Sequence, residues 1–208
     1  MESILVKKVI LFGDSVLFGR GATQRNVGCG RLLRNLLKRI PVAIKGRNAD
    51  TTREGLQRLA IDILNDIEPS YVIILFGNND CRLKGIDTPF VSLFEYKENL
   101  TKIILRIKSN NKIPILSNLQ PIDSEMFYNT LPDMKRFIIH IGTPYEWQKK
   151  YSCACNEVAH KENIKLADIR SILESYGREA ISKDGLHPND LGHQLIAKIF
   201  LETLEETF

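Results

Sequence analysis

The chain has 208 residues, 43% hydrophobic and 26% charged, which predicts one soluble globular domain spanning residues 1–208, with a sizeable core. Its net charge of +4 is small and dispersed, with no Lys/Arg run of the kind nucleic-acid binders carry. No apolar stretch reaches membrane-spanning length and no leader-like apolar run opens the chain, so a cytoplasmic protein is expected.

Cys29, Cys81, Cys153 and Cys155 show no disulfide framework, in keeping with a reducing compartment. Cys153 and Cys155 are two apart, so on a helix they point in different directions, which is poor metal-ligand geometry.

Strand-like runs alternate with helical patterns. Val9–Phe12 is a short apolar run and predicts the first strand. Arg31–Arg39 reads as a helix, with Leu32, Leu33, Leu36 and Leu37 at helical spacing, and Pro41–Lys45 as the second strand. Thr51–Ile67 is the clearest helix: Leu56, Leu59, Ala60, Ile63, Leu64 and Ile67 fall on one face, and Thr51 with Glu54 can form a capping box. Tyr71–Phe76 is a nearly continuous apolar run, as expected of a central strand covered on both faces. Thr88-Pro89 predicts the start of a helix reaching about Ser109, because proline suits a first helical position. Ile113–Leu116 and Ile164–Ala167 complete five strands, and Tyr145–Lys161 and Leu191–Leu204 read as helices. Gln120–Thr143 is a long irregular connection whose aromatics, with Tyr145 and Trp147 beyond it, either wall a site or fill a satellite core.

This alternation predicts a five-stranded parallel sheet between two helical layers, with ligands bound beyond the carboxyl ends of the strands. The chemistry-bearing residues fall there. Ser15 in GDSVLFG follows the first strand, Asn48 and Ala49 the second, Asn79 in GNND the third, and Asp184 and His187 in DGLHP come after the fifth. Those are the parts of an acyl-transfer site: a serine nucleophile, a base, a carboxylate to orient it, and donors for the oxyanion. Taken singly, Ser15 could merely cap a helix, Asp184 and His187 could shape a helix-start turn, and Asn79 could be a turn residue. A metal reading would use Asp184, His187, Asp190 and His193, but a serine base explains His187 without a metal. His193 is expected at the surface or in helix packing, His140 and His160 in structural roles, and Asp80 as a tie for its loop. The G-x-S-x-G elbow, the phosphate loop and the dinucleotide pattern are all absent.

The blocks GDSVLFG, GNND and DGLHPNDLGH, in this order from Gly13 to His193, resemble those of the SGNH (GDSL-type) hydrolases. That family comprises esterases, lipases, thioesterases and carbohydrate deacetylases. The resemblance implies a flavodoxin-like three-layer α/β/α sandwich. It implies Ser15 as nucleophile, His187 as base, and Asn79 with a backbone N–H of the second block as oxyanion donors, to which the reading of the residues adds Asp184 to orient His187 and the Ser15 amide as a further donor. The second block departs from the family: GRNADTT puts Ala49 where the family usually has glycine, with Gly46 and Asn48 as the other candidates. A backbone N–H is the donor there, so alanine serves if its φ/ψ allows.

The expectation is therefore a carboxylic ester hydrolase acting on a small-molecule ester (an acyl ester or an acetylated sugar) without metal or organic cofactor. Phe127 and Trp147 are the first candidates for a substrate wall. An acyltransferase with the same site is one rival, separable by its products with added alcohol. A flavodoxin-like binding module that has lost catalysis is another, separable by one ester assay.

Overall fold

A computed structural model describes residues 8–207. Five parallel strands form the sheet in the order β2 (Val42–Gly46), β1 (Lys8–Gly13), β3 (Ser70–Leu75), β6 (Ile113–Ser117) and β7 (Lys165–Ala167). The three inner strands are mostly apolar and buried: all of β3 is buried, as are Val9–Phe12 of β1 and Pro114–Ser117 of β6. The edge strand β7 is short and begins on exposed Lys165, which blunts that edge.

Helices cover both faces. α2 (Cys29–Leu36) packs with α8 (Asp190–Glu205) and α8 with α7 (Ile169–Tyr176) on one side. α3 (Thr52–Leu59), α4 (Leu93–Lys108) and α6 (Pro144–Lys161) pack in sequence on the other. The result is a three-layer α/β/α sandwich. The chain leaves β1 toward β2, then crosses back past β1 to β3, so the strand order reverses between β1 and β3. Such a switch point opens a crevice at the carboxyl ends of the two strands. Ser15 and Asn79 stand on its two sides.

The helix starts follow their caps. Thr51 and Glu54 form the expected capping box on α3, and Thr143 with Glu146 forms another on α6. Several boundaries differ from the sequence reading. α2 stops at Leu36, where Leu37 leaves helical geometry ahead of Pro41. α3 widens into a π-helical turn at Ala60–Leu64 and ends there, leaving Ile67 92% exposed and off the apolar face. Thr88–Pro89 is not a helix start. It forms β5, paired antiparallel with β4 (Leu83–Gly85), and α4 begins four residues later behind a Ser92 cap. A serine hydroxyl satisfies a free helix N–H, which a proline cannot do, and that decided the boundary. The connection after β6 is partly ordered, holding α5 (Ser124–Thr130) and a 3₁₀ segment at Pro132–Phe137.

Candidate active site

Ser15 opens the four-residue helix α1 (Ser15–Phe18) directly after β1. Asp14 caps it, accepting from the Val16 N–H at 2.9 Å. Gly13 makes the turn possible by close approach, since a Cβ there would lie 2.1 Å from the Leu75 carbonyl oxygen. From the far end of the chain, the turn at Asp184–Pro188 brings His187 beside Ser15. Gly185 sits in the left-handed region at φ 72°, and a Cβ there would meet the Phe127 amide nitrogen at 2.3 Å, so only glycine fits.

Three side chains then line up. Ser15 Oγ is 3.0 Å from His187 Nε2, and His187 Nδ1 is 2.6 Å from Asp184 Oδ2. The other Asp184 oxygen accepts from the Ser182 hydroxyl and from the Leu186 and His187 N–H groups, at 2.7, 2.9 and 2.9 Å. Burial works against the Asp184 charge, but these donors outweigh it and hold the carboxyl well below its ordinary range. An ionised Asp184 accepts from Nδ1, which leaves the Nε2 lone pair facing the Ser15 hydroxyl.

Ala49 adopts φ 65°, a left-handed backbone that glycine would reach more easily. The N–H groups of Ser15 and Ala49 carry no hydrogen bond among the described residues, and both residues line one cavity with Asn79 and His187. Asn79 donates to the Asp50 carbonyl at 3.0 Å with one amide hydrogen, so the second is free. Asn78 has nothing to spare. Its amide donates to Asp14 Oδ2 and Gln120 Oε1 and accepts from Gln120 and Gln148. Of the two neighbouring asparagines, Asn79 alone retains a donor.

The cavity holds about 550 Å³. Phe127 from α5 and Trp147 from α6 both face it. The remaining aromatics of that segment turn elsewhere: Tyr145 donates to Glu174 at 2.8 Å, and Tyr128 packs on Phe127. The other histidines do not join the site. His193 is fully buried between helices, accepting from the Cys29 N–H at 3.2 Å and facing the Arg20 carbonyl at 2.9 Å. Burial lowers its pKa, so it sits neutral. Asp190 is taken by Thr23, at 2.7 and 2.5 Å, so Asp190 and His193 have other partners than a metal. His140 and His160 are exposed rather than structural, because each lies on a solvent face of its segment. Asp80 does tie its loop, accepting from the N–H and hydroxyl of Thr52.

Sequence reasoning missed three contributors. Asp14 is fully buried, and burial raises its carboxyl to about 6. Gln120 bridges Asn78 and the Leu186 carbonyl, at 3.1 and 3.0 Å. Arg58 holds the ends of two strands. Its i,i+4 spacing from Asp62 was the one signal available, and Gln120 had none.

Residues 11–195 match the GDSL-like Lipase/Acylhydrolase family. The chain is 25% identical to GDSL esterase/lipase CPRD49 of Arabidopsis thaliana, over 96% of this chain and 79% of that one. It is 26% identical to an acetylxylan esterase of Geobacillus stearothermophilus, over 79% of this chain and 72% of that one. Among solved structures, a lipase/acylhydrolase from Enterococcus faecalis superposes with a TM-score of 0.77 at 22% identity, covering 97% of each chain. A catalytic mutant of Axe2, an acetylxylan esterase from Geobacillus stearothermophilus, does so with a TM-score of 0.75 at 22% identity, covering 95% of this chain and 94% of that one. The chain belongs to the GDSL-like Lipase/Acylhydrolase family.

Proposed function

We propose that the protein hydrolyses carboxylic esters through an acyl-enzyme on Ser15. The observation that carries this reading is the line from Ser15 Oγ through His187 to Asp184, at 3.0 and 2.6 Å, opening on a cavity with uncommitted N–H groups. Ser15 Oγ attacks the ester carbonyl as His187 Nε2 takes its proton. Asp184 fixes the tautomer and stabilises the imidazolium that forms. The negative charge that develops on the carbonyl oxygen falls to the N–H groups of Ser15 and Ala49 and the free Asn79 hydrogen. His187 then protonates the leaving alcohol. Water enters the vacated position and, with His187 again as base, releases the acid and restores Ser15. The reaction so written uses no cofactor.

Exposed Arg20, Asn48 and Ala49 leave one side of the site open to water, which favours hydrolysis over transfer to a sequestered alcohol. Four free cysteines, three of them buried, support a reducing cytoplasmic setting, which cell fractionation would check.

An organophosphonate should label Ser15, and Ser15→Ala should lower kcat by about 10⁴-fold or more. Label on another serine, or an active alanine variant, overturns the assignment.

A further inference from the structure

The cavity beside Ser15 is more than the chemistry needs. Its far wall is built from Leu83, Ile122, Phe127, Met134, Ile138 and Trp147. Leu83 and Ile122 are buried, and Phe127, Met134, Ile138 and Trp147 are half-buried along the same cavity. Trp147 spends its polar edge inward, donating from Nε1 to the Cys81 carbonyl at 2.7 Å, and rests edge-on against Tyr151. What it offers the cavity is ring surface.

The polar lining is almost entirely committed. Asn78 and Gln148 also reach this wall, but both side chains are taken: Gln148 donates to Asn78 and to the Gln120 carbonyl and accepts from Arg170. Beyond the groups assigned to catalysis, Arg20, Arg82 and Asn48 remain, all exposed at the mouth. No aspartate or glutamate lines the cavity among the described residues. A sugar presents hydroxyl donors that need acceptors, and a site that leaves them unpaired rejects them strongly. The six wall side chains offer no oxygen acceptor, and the remaining amide oxygens in the lining, on Asn48 and Asn79, belong to the mouth and the oxyanion site. An acetyl group, in turn, would leave most of about 550 Å³ unfilled.

We infer that the substrate is an ester of a medium-chain fatty acid, whose acyl chain lies along this apolar wall. The inference rests on the serine-hydrolase reading above. The chain belongs to the acyl rather than the alcohol side for a mechanistic reason. Water attacks the acyl-enzyme from the position the alcohol has left, beside His187 Nε2. That position must stay open to solvent, and exposed Arg20, next to the Gly21 that packs on His187, lies on that side. The group that stays on Ser15 through both steps is the acyl group, and the half-buried apolar wall suits it.

The test is kcat/KM on soluble p-nitrophenyl esters from acetate to decanoate, with acetylated xylose and the pair methyl octanoate and octyl acetate. Burying one methylene is worth roughly fourfold, so even partial burial should raise kcat/KM by about 10-fold or more between acetate and chains of about six to ten carbons. Methyl octanoate should exceed octyl acetate. Met134→Lys, which puts a charge on the wall, should lower the octanoate-to-acetate ratio by about 10-fold. A flat or falling chain-length profile, preference for acetylated xylose, or preference for octyl acetate overturns this inference and leaves the Ser15 hydrolase standing. Failure on every ester together with an unlabelled Ser15 overturns both.

Discussion

The guanidinium of Arg58 donates to the carbonyl of Gly13 at 2.9 Å, two residues before Ser15. The same group donates to the Lys45 carbonyl at the end of β2, and to Asp50 and Asp62 at 2.6 and 2.7 Å. It also stacks on Phe12 with 4.4 Å to the ring centroid. One buried side chain therefore ties the end of β1, the end of β2 and the loop that carries Ala49. Asp50 closes the circle, since its carbonyl accepts from Asn79. Arg58→Ala should cost about 3 kcal/mol in urea unfolding, the low end for a broken buried pair, because Asp50 loses its guanidinium partner while Asp62 keeps Arg47 and Lys45. Arg58→Lys keeps the charge without the fork and should recover part of that stability. A loss under about 1 kcal/mol in the alanine variant would mean that the tether is redundant.

Ala49 sits at φ 65°, where alanine costs roughly 1 kcal/mol relative to glycine. Glycine also loses about 0.4–1 kcal/mol more entropy on folding, so the two effects nearly cancel. Ala49→Gly should therefore unfold within about 0.5 kcal/mol of the parent and keep its kcat. Ala49→Val puts a β-branched residue where it fits worst and should lose about 1–3 kcal/mol together with kcat. A fully active, fully stable valine variant would show that the N–H of this residue is not an oxyanion donor.

The fold was readable because its signals are local and strong. The apolar runs of β1 and β3 are short and rich in β-branched residues, which suits covered strands, and the Thr51/Glu54 cap marks its helix in four residues. The meeting of Ser15, Asp184 and His187 was readable because each lies at a strand end or turn, and topology alone gathers such ends. The Thr88–Pro89 hairpin was lost because proline suits a helix start and an edge strand equally well. Gln120 and Asn78 were opaque for another reason. Their meaning lies in who meets them across 42 residues of chain, and an amide side chain carries no trace of that in its own neighbourhood.

Two buried aspartates make stability fall as pH rises. Burial holds Asp14 at about 6 and Asp80 at about 7, against 3.8 for an ordinary aspartate. The folded state keeps protons that the unfolded chain has already released. Their contribution is complete below the unfolded value and is lost as pH climbs through the folded ones, each group giving up about 1.4 kcal/mol for every pH unit between its two values. Asp184, held low by its donors, works in the opposite sense and only in acid, while His193, lowered from 6.5 by burial, opposes the loss up to about that pH but as one group against two. The urea midpoint should drop between about pH 5 and pH 8 at constant ionic strength. Asp80→Asn keeps an acceptor for Thr52 and carries no charge, so its midpoint should drop less. Equal slopes in the two proteins would remove Asp80 from the account.

Asn79→Ala should lower kcat by roughly 10²–10³ with little change in KM, as loss of an oxyanion donor does. The variant also loses the bond to the Asp50 carbonyl, so its urea midpoint should be read beside the rate. A loss confined to KM would assign Asn79 to ground-state binding instead.

Gln120 joins the two halves of the site. Its amide donates to the Leu186 carbonyl, one residue before His187, and pairs with Asn78, which in turn holds Asp14 beside Ser15. A second bond runs in parallel, from the Asp123 N–H to the Gly185 carbonyl at 2.9 Å. The histidine turn is thus docked on the connection after β6, and Gln120, 1% exposed, carries the part nearest the ring. Gln120→Leu keeps the volume but strands the Leu186 carbonyl and one Asn78 amide hydrogen, while Asn78 Oδ1 keeps its bond from Gln148, so the loss is about 1–3 kcal/mol for each stranded group if nothing relaxes. The more telling effect is on rate. A histidine turn that has lost one of its two anchors samples misaligned positions, and small displacements cost steeply in kcat. A drop of about 10–10² in kcat is expected, with KM nearly unchanged and phosphonate labelling of Ser15 slowed in proportion. Gln148→Leu is the control. It also touches Asn78, and it takes a buried acceptor away from Arg170, but it makes no bond to the histidine turn. It should lose at least as much stability and much less kcat. If the two variants lose rate in proportion to stability, Gln120 supports the core and does not position His187.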